Sequence, residues 1–519
     1  MKNEIYLYTT QKTEQTKLNV WCAFPAVYNF GMSALGYLSV FQHIDMMDGI
    51  FAERIFTDTE KTYIQIKDVD IITFSFSFEL DYLGILKILE KYNIPFLAKD
   101  RGEETPIIYA GGPVVSANPE PFAEFFDFIM IGDAEPHIKE VFELLKNNKT
   151  KSKKEKLLLL SQIEGIYVPS VKKEGYTVKK VSSSLNYCIS TPILTENSFF
   201  SNTFIIEVER GCPQQCGFCL TSYINNPVRF CSYEEIINKI ENALKYTNKI
   251  ALLGALICAH PKIDDICQYI IDKVDSGIDI ELTVSSLRAD YVSDKTLEML
   301  HKCGQKSATI AVEAGSERLR QVINKNLKDS DIINVVDKMV QYGFTGLKLY
   351  GIIGLPTETY EDIDSFVELC KKIKNKHKSF ILTPSFSTFV PKAHTPFQFA
   401  QREDTKTIEK KKLYIKKQIA KICIKARTSS VKWDYIQALL SRGSRQLTPY
   451  LIDVYKQGGN LGTFKQLYKE YKNTCRLPDS DEFAIKNQAC DKEFPWDFIK
   501  YPKDKLKLKS EYERLLAIK

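Results

Sequence analysis

TFIIEVERGCPQQCGFC, residues 203–219, runs from a β-rich apolar stretch straight into a loop with three cysteines at spacings of four and three. The Ile, Val and Phe enrichment marks 203–210 as a strand. Gly211 and Gly217 permit tight turns, so Cys212, Cys216 and Cys219 share one loop of eight residues and their thiolates can converge on one centre. Thiolates suit iron–sulfur clusters or zinc. A structural zinc site closes with four ligands, and the sequence offers no second Cys-x-x-Cys or His-x-x-x-His pair. A cubane held by three cysteines leaves one iron without a protein ligand, and an open coordination position is what a catalytic metal site keeps for its substrate.

Outward from that loop, five more strand-like stretches follow before Pro391: KIALLG, IDIELTVS, ATIAVEA, GLKLYGIIG and SFILTPSFSTFV, each separated by a helical-period segment. Ser232 with Glu235 forms a capping box, and Gly343 stops a helix. Six parallel strands with crossover helices make an open sheet or an incomplete barrel, and either works at the carboxyl ends of its strands. The cysteine loop follows the first strand and so lies on that face.

Upstream, LNVWCAF, DIITFSFS, PIIYAGG and DFIMIG alternate with helical segments between Leu18 and about Thr150, which predicts a parallel sheet with helices on both faces. Gly111, Gly112, Pro113 and Gly132 sit at its carboxyl edge, where plain turn chemistry accounts for them as well as a ligand does. The Lys/Asn run at 146–156 reads as an exposed linker, 164–200 as a small β-rich connector, and the chain beyond Thr395 as mainly helical. The expected units are therefore 1–150, 151–200, 201–395 and 396–519.

A chain of 519 residues has room for about three domains. Its net charge of +6, from 71 basic against 65 acidic residues, describes a solvated surface and gives little support to nucleic-acid binding. No apolar signal-peptide core follows Met1 and no apolar run reaches the ~20 residues that span a bilayer, so a cytoplasmic protein is expected. Thirteen dispersed cysteines then read as thiols or metal ligands, most of them small core residues.

Cys-x-x-x-Cys-x-x-Cys with Phe218 before the last cysteine, placed after the first of six β/α strands, resembles the radical S-adenosylmethionine (SAM) superfamily. The resemblance implies a [4Fe-4S] cluster whose unique iron chelates SAM, one-electron cleavage to methionine and a 5′-deoxyadenosyl radical, and a reductant such as flavodoxin or ferredoxin. It also implies cofactor contacts at later strand ends: Gly254 for the SAM amino group, Ser285, Ser286 and Arg288 for ribose and carboxylate, Glu313 for ribose or amine, and Gly351 and Gly354 beside adenine. The acidic residue usual in the Leu253-Gly254-Ala255 turn is absent, so that contact would be made by backbone. Ordinary strand-end chemistry explains each of these singly; their shared face is the argument for the set.

The N-terminal sheet resembles the cobalamin-binding domains of one branch of the superfamily, and 111–135 with its Gly-Gly-Pro and Gly132 to Glu135 fits an uncharacterised subgroup. Where an Asp-x-His-x-x-Gly motif would supply a cobalt ligand, the chain has Ala26, Tyr28 and Gly31. Either a corrinoid binds without a lower histidine, or the domain keeps the fold and not the cofactor. The implied fold is α/β: a doubly wound, flavodoxin-like parallel sheet and an incomplete (β/α)6 TIM-like barrel, followed by a mainly helical C-terminal region. Implied activities are methyl transfer with cobalamin, or hydrogen abstraction leading to rearrangement or sulfur insertion without it; the substrate is not readable. Methylthiotransferases fit less well, since only Cys22 and Cys188 precede Gly211 as ligands for a second cluster. A non-catalytic iron–sulfur sensor or electron carrier is the alternative from another class. His394, Trp496 and Asp497 could line a cavity, and Cys231, Cys258 and His260 could ligate, but caps and core packing are the commoner explanations.

Overall fold

The computed structural model describes residues 3–518 apart from Gln11, Thr13, Glu14 and Asn186. Six strands build the N-terminal sheet: β1 (Leu18–Phe24), β2 (Ile50–Phe56), β3 (Ile71–Ser75), β4 (Ile107–Gly111), β5 (Phe128–Met130) and β6 (Ile166–Tyr167). Their spatial order is β2-β1-β3-β4-β5-β6, the first five parallel and β6 antiparallel to β5. This is the flavodoxin-like order, whose ligand crevice lies between the carboxyl ends of β1 and β3. The inner strands are apolar runs because both faces are covered. One face packs on α1 (Leu35–Asp45), α3 (Glu135–Asn147) and α4 (Lys153–Leu160); α2 (Tyr82–Lys91) lies on the other.

The structure adds one strand to this region and changes one reading of it. The alternating stretch at Ile50–Phe56 is a full strand, with Glu53 accepting the Tyr63 and Ile64 amides at 2.8 and 3.0 Å. The 146–156 run is largely exposed as expected, but part of it is helix: Ser152 caps α4, and buried Lys153 reaches Asp127 at 3.1 Å. Because β6 then pairs with β5, the sheet continues past the expected boundary at 150.

The central unit holds six parallel strands in chain order: β7 (Phe204–Glu207), β8 (Lys249–Leu253), β9 (Glu281–Val284), β10 (Ser307–Glu313), β11 (Gly346–Ile353) and β12 (Ile381–Thr388). A single bridge, Leu287 to Ile310, links the β9 and β10 halves. Among the described residues β7 and β12 do not pair, so the TIM-like barrel is open. Its outer layer is helical, and Phe204, Ile206, Ile250 and Leu252 pack outward under α5 (Tyr233–Ala243) and α6 (Ile263–Asp275) in one core. Ser232 accepts the Glu235 amide at 3.2 Å, one of the two bonds of the expected capping box.

The C-terminal region is helical and divides its packing. Residues Ile408, Ile415 and Ile419 of α7 (Thr405–Lys421) join the barrel core, whereas α8 (Val431–Arg442), α9 (Thr448–Lys456) and α10 (Leu461–Asn473) bury against the N-terminal sheet with Phe76, Tyr82 and Phe122. Helix α11 (Lys505–Leu516) returns to the barrel mouth. No helix is long and apolar enough to cross a membrane among the described residues.

Candidate functional site

The cysteine loop begins one residue beyond a two-residue strand, Glu209–Arg210, paired with Arg229–Phe230. Gly211 there has φ +90°, and a Cβ would stand 2.7 Å from the Asn225 carbonyl oxygen. Only glycine turns the chain so tightly. The loop is then pinned from three directions. Gly217 donates to Ile323 O at 3.0 Å and accepts from Phe397 N at 3.0 Å, while Asn324 Nδ2 and the Tyr223 hydroxyl both donate to Gln215 O. From the C-terminal segment, Lys503 Nζ donates to Gln215 Oε1 at 2.5 Å and to Glu511 Oε2 at 2.8 Å.

Cys212 and Cys216 are buried and Cys219 is half-buried. Burial pushes the Cys212 thiol up, against the Gln214 amide, and the nearby Cys219 adds to the rise. Burial also pushes Cys216 up to about 12, opposed by the positive charges of Lys325 and Arg288 and reinforced by Cys219 and Cys212. The three sulfurs thus lie within one another's electrostatic field, with two cations beside them. Among the described residues no three His, Cys, Asp or Glu side chains close around a single ion position. Three thiols on one loop, with cations near Cys216, form a soft donor set of the kind that an iron–sulfur cluster takes. Cys212, Cys216 and Cys219 are the residues that would hold it.

The other sequence-derived positions share the carboxyl face of the barrel. Ser285 Oγ donates to Gly254 O at 2.9 Å, tying the ends of β9 and β8 together. Arg288 is buried and engaged: Nε and Nη2 meet Asp290 at 2.7 and 3.1 Å, and Nη2 also donates to the Lys325 carbonyl. Glu313 ends β10 with φ +68°, a left-handed conformation costly for a non-glycine, and lies 3.4 Å from Lys325 Nζ. Fully buried Arg320 fixes the following turn by donating to Ala314 O, Gly315 O and Leu327 O. Phe218 packs with Leu319, Phe397 and Leu515.

Gly351 and Gly354 have a different local reason. A Cβ on Gly351 would meet Phe386 at 2.7 Å and Phe366 at 3.2 Å, and one on Gly354 would meet Ile408 at 3.3 Å. Their missing side chains therefore make room for the helical layer. Cys231, Cys258 and Phe204 share the barrel core, and His260 Nε2 bonds the Cys231 carbonyl at 2.8 Å. His394 N and Trp496 Nε1 both donate to Gln398 Oε1 at 2.9 Å, and with Asp497 they line a cavity of about 390 Å³. Tyr28 donates its hydroxyl to Glu4 at 2.5 Å.

A cleft of about 310 Å³ separates the two β/α units, with Ser75, Gly111 and Gly132 on the sheet side and Glu207, Arg210 and Leu253 on the barrel side. No histidine is among its described lining residues. Arg210 bridges it, donating to Glu135 Oε1 at 2.8 Å and Glu207 Oε2 at 2.7 Å and standing 3.2 Å from Asp133. Burial would raise the Asp133 carboxyl, yet Arg210 and Arg229 hold it below its ordinary range.

The family description "Radical SAM superfamily" matches residues 206–370, and "Radical SAM proteins, N-terminal" matches 36–169. An uncharacterized protein of Methanocaldococcus jannaschii, MJ0966, is 30% identical over 438 residues, 83% of this chain and 90% of its own. The chain belongs to the radical SAM superfamily. Membership implies a [4Fe-4S] cluster and SAM. The uncharacterized methyltransferase PH0819 of Pyrococcus horikoshii is 24% identical over 66% of this chain and 72% of its own. Two solved radical SAM structures share the fold. The methyltransferase TsrM from Kitasatospora setae, solved with cobalamin and a [4Fe-4S] cluster, matches at TM-score 0.51 and 11% identity, covering 72% of this chain and 75% of its own. The cobalamin-dependent radical enzyme OxsB, solved with aqua-cobalamin and SAM, matches at 0.53 and 15%, covering 88% and 71%.

Sequence reasoning missed Lys325, the Gln215–Asn324–Glu511 clasp and Glu209. The last was visible as an acidic residue inside an apolar strand, IIEVER, which is an uncommon place for a carboxylate.

Proposed function

We propose that the protein is a radical SAM enzyme that cleaves SAM reductively and uses the resulting radical on a substrate held between its two β/α units. The observation that carries this is the single loop of buried Cys212, buried Cys216 and half-buried Cys219 at the mouth of a six-strand barrel, with Lys325 and Arg288 near Cys216. When bound, the cluster supplies one electron to the sulfonium, which leaves as methionine and a 5′-deoxyadenosyl radical. The chain's own residues hold the cluster, keep water from it and place charge around it. Leu515, Phe397 and Phe218 cover the loop with apolar surface. Lys325 and Arg288 favour the thiolate form of Cys216, against its burial. A one-electron donor protein such as flavodoxin or ferredoxin is the partner this chemistry needs.

The finer reading is a methylase with a corrinoid lacking a lower-axial histidine. The flavodoxin-like sheet order, the histidine-free cleft at its carboxyl edge and the fold shared with two cobalamin-bound enzymes support it. The cleft, at about 310 Å³, is at the lower end of the ~300–1,000 Å³ of ordinary ligand pockets, and a corrinoid is bulkier, so its faces must part to admit one.

The test is anaerobic reconstitution with iron and sulfide, then reduction in the presence of SAM. Formation of methionine and 5′-deoxyadenosine is expected. An iron-loaded, reduced protein that leaves SAM intact overturns the proposal.

A further inference from the structure

The segment that clasps the cysteine loop turns its charge outward. Residues 500–509, KYPKDKLKLK, carry five lysines against one acidic residue, Asp504. Two of the five are engaged within the fold: Lys503 on Gln215 and Glu511, and Lys505 on Asp497 at 2.6 Å. Lys500 is exposed and donates to the Asp497 carbonyl at 2.9 Å. The Lys507 and Lys509 side chains are 67% and 43% exposed, and their acidic neighbours Asp504 and Glu513 stand off at 3.8 and 3.6 Å. Surface pairs of that length hold their lysines weakly, so both can pair with a partner instead.

Along helix α11 the leucines divide. Leu508 is buried with Phe399 and Trp496, and Leu515 covers the loop backbone, but Leu506 is 73% exposed among the lysines. Beside it opens the cavity of about 390 Å³ that His394 and Trp496 line, with Lys500, Lys503, Lys505 and Leu506 also on its wall. An apolar centre, a cationic rim and a recess are the parts of a protein-docking surface. Its position is specific too: Lys503 reaches the residue before Cys216, and Lys507 follows within about one helical turn.

We infer that Lys500, Leu506, Lys507 and Lys509 form the docking surface for the electron donor, and that this donor is an acidic protein. The inference rests on the radical SAM reading above and names the chemistry and the seat of its partner. One electron passes from the reduced donor to the cluster, leaving the donor oxidised by one, and no bond or proton of the segment changes. Opposite charge steers such a partner onto the cysteine-loop face and makes its capture salt-sensitive. A row of lysines also suits RNA phosphates, but the exposed leucine and the contact with the cysteine loop favour a protein.

The test uses full-length, iron-loaded protein under anaerobic conditions, with an acidic flavodoxin as the probe. Two quantities are read: the Kd of oxidised flavodoxin, and the KM for reduced flavodoxin in SAM cleavage, with dithionite-driven cleavage as the reference. Lys507→Glu/Lys509→Glu should raise both by about tenfold at low salt, and leave iron content and the dithionite-driven rate within about twofold of wild type. The same reversal at exposed Lys410 and Lys417 of α7, which changes net charge equally, should leave both constants unchanged. Unchanged Kd and KM in the Lys507/Lys509 variant, with or without loss of RNA retention, overturn the inference, as does an equal rise in the α7 control. Should the variant fail to fold, wild type decides: flavodoxin binding that is insensitive to salt, or absent, overturns it. Wild type that keeps its iron yet leaves SAM intact with dithionite overturns the radical SAM reading itself, and this inference with it.

Discussion

Ser441 Oγ donates a hydrogen bond to Glu79 Oε1 at 2.6 Å, across 362 positions of sequence. Gln437 donates to the second oxygen at 3.0 Å, and Lys392, just beyond the last barrel strand, pairs with the same buried carboxylate. Three regions of the chain therefore meet on Glu79: the sheet domain, the barrel exit and helix α8.

Removing that carboxylate should be expensive. Burial works to raise Glu79, but Lys392, Ser441 and Gln437 outweigh it and its pKa is lowered from 4.5. Such a group stabilises the fold above its ordinary value, and the benefit is lost as pH falls through the depressed native one. Glu79→Ala leaves half-buried Lys392 with Ser441 but without its ion-pair partner, at a cost of about 3 kcal/mol by denaturant unfolding, the low end of the buried-pair scale, while Glu79→Gln, which keeps the shape, costs less. The wild-type advantage over Glu79→Gln should shrink as pH drops below 4.5.

Cys212→Ala, Cys216→Ala and Cys219→Ala should each lose most bound iron and the brown iron–sulfur absorbance after anaerobic reconstitution. Cys370→Ala, which removes a core thiol that burial alone raises to about 12, should keep both and lose stability modestly. Iron analysis with visible spectra separates the two groups; iron retained in all three loop variants would remove the site.

The barrel strands were legible because each is a short β-branched run bounded by turn residues, as in KIALLG over Lys249–Leu253. Ile50–Phe56 escaped because Glu53 and Arg54 interrupt its apolar pattern, and only the folded chain shows Glu53 satisfied by two amides. The Lys-rich run at 146–156 looked solvated by composition, yet tertiary contact with Asp127 and a cap at Ser152 order it. The cysteine loop marked its three candidate ligands through their spacing together with the order of the strands around it. What clasps it, Asn324, Phe397 and Glu511, lies more than a hundred residues away, and no local pattern encodes that distance.

Helix α11 should protect the cysteine loop. A Cβ on Gly217 would stand 3.0 Å from both Leu515 Cδ1 and Phe397 Cε1, so the fully buried Leu515 closes directly over the loop backbone. Leu515→Ala opens a cavity there, with an expected loss of about 2–5 kcal/mol. In air its cluster absorbance should bleach faster than wild type's, measured at equal initial iron content.

Gly315 sets the turn after Glu313. A Cβ at this position would lie 1.9 Å from the Asp362 carbonyl oxygen and 2.7 Å from the Phe366 amide nitrogen, both backbone atoms that cannot swing away. Gly315→Ala should therefore force the β10 turn and helix Tyr360–Lys376 apart, with a loss above 2 kcal/mol by the ~1–3 kcal/mol scale of overpacking. Gly175→Ala is the control for space, since nothing lies within 4 Å of its Cβ position, although its φ of +75° still carries backbone strain. Comparable losses in the two variants would show that the contact does not matter.

The cleft between the units can be blocked without touching the cluster. Gly111 lines it, and a Cβ there would meet only Met130 Cβ, at an ordinary 3.8 Å, so a larger side chain can extend into open space. Gly112 and Gly132 differ, because Cβ atoms on them would strike the Phe76 and Val181 carbonyl oxygens at 2.6 and 2.2 Å. Gly111→Leu should fold and hold iron as wild type does. Incubated with hydroxocobalamin and desalted, wild type should retain corrinoid if the sheet domain binds it at this edge, and Gly111→Leu should retain far less. Retention by both places any corrinoid elsewhere; retention by neither, with iron and SAM cleavage intact, means that the domain keeps the sheet order of a cobalamin fold while the radical chemistry proceeds without cobalt.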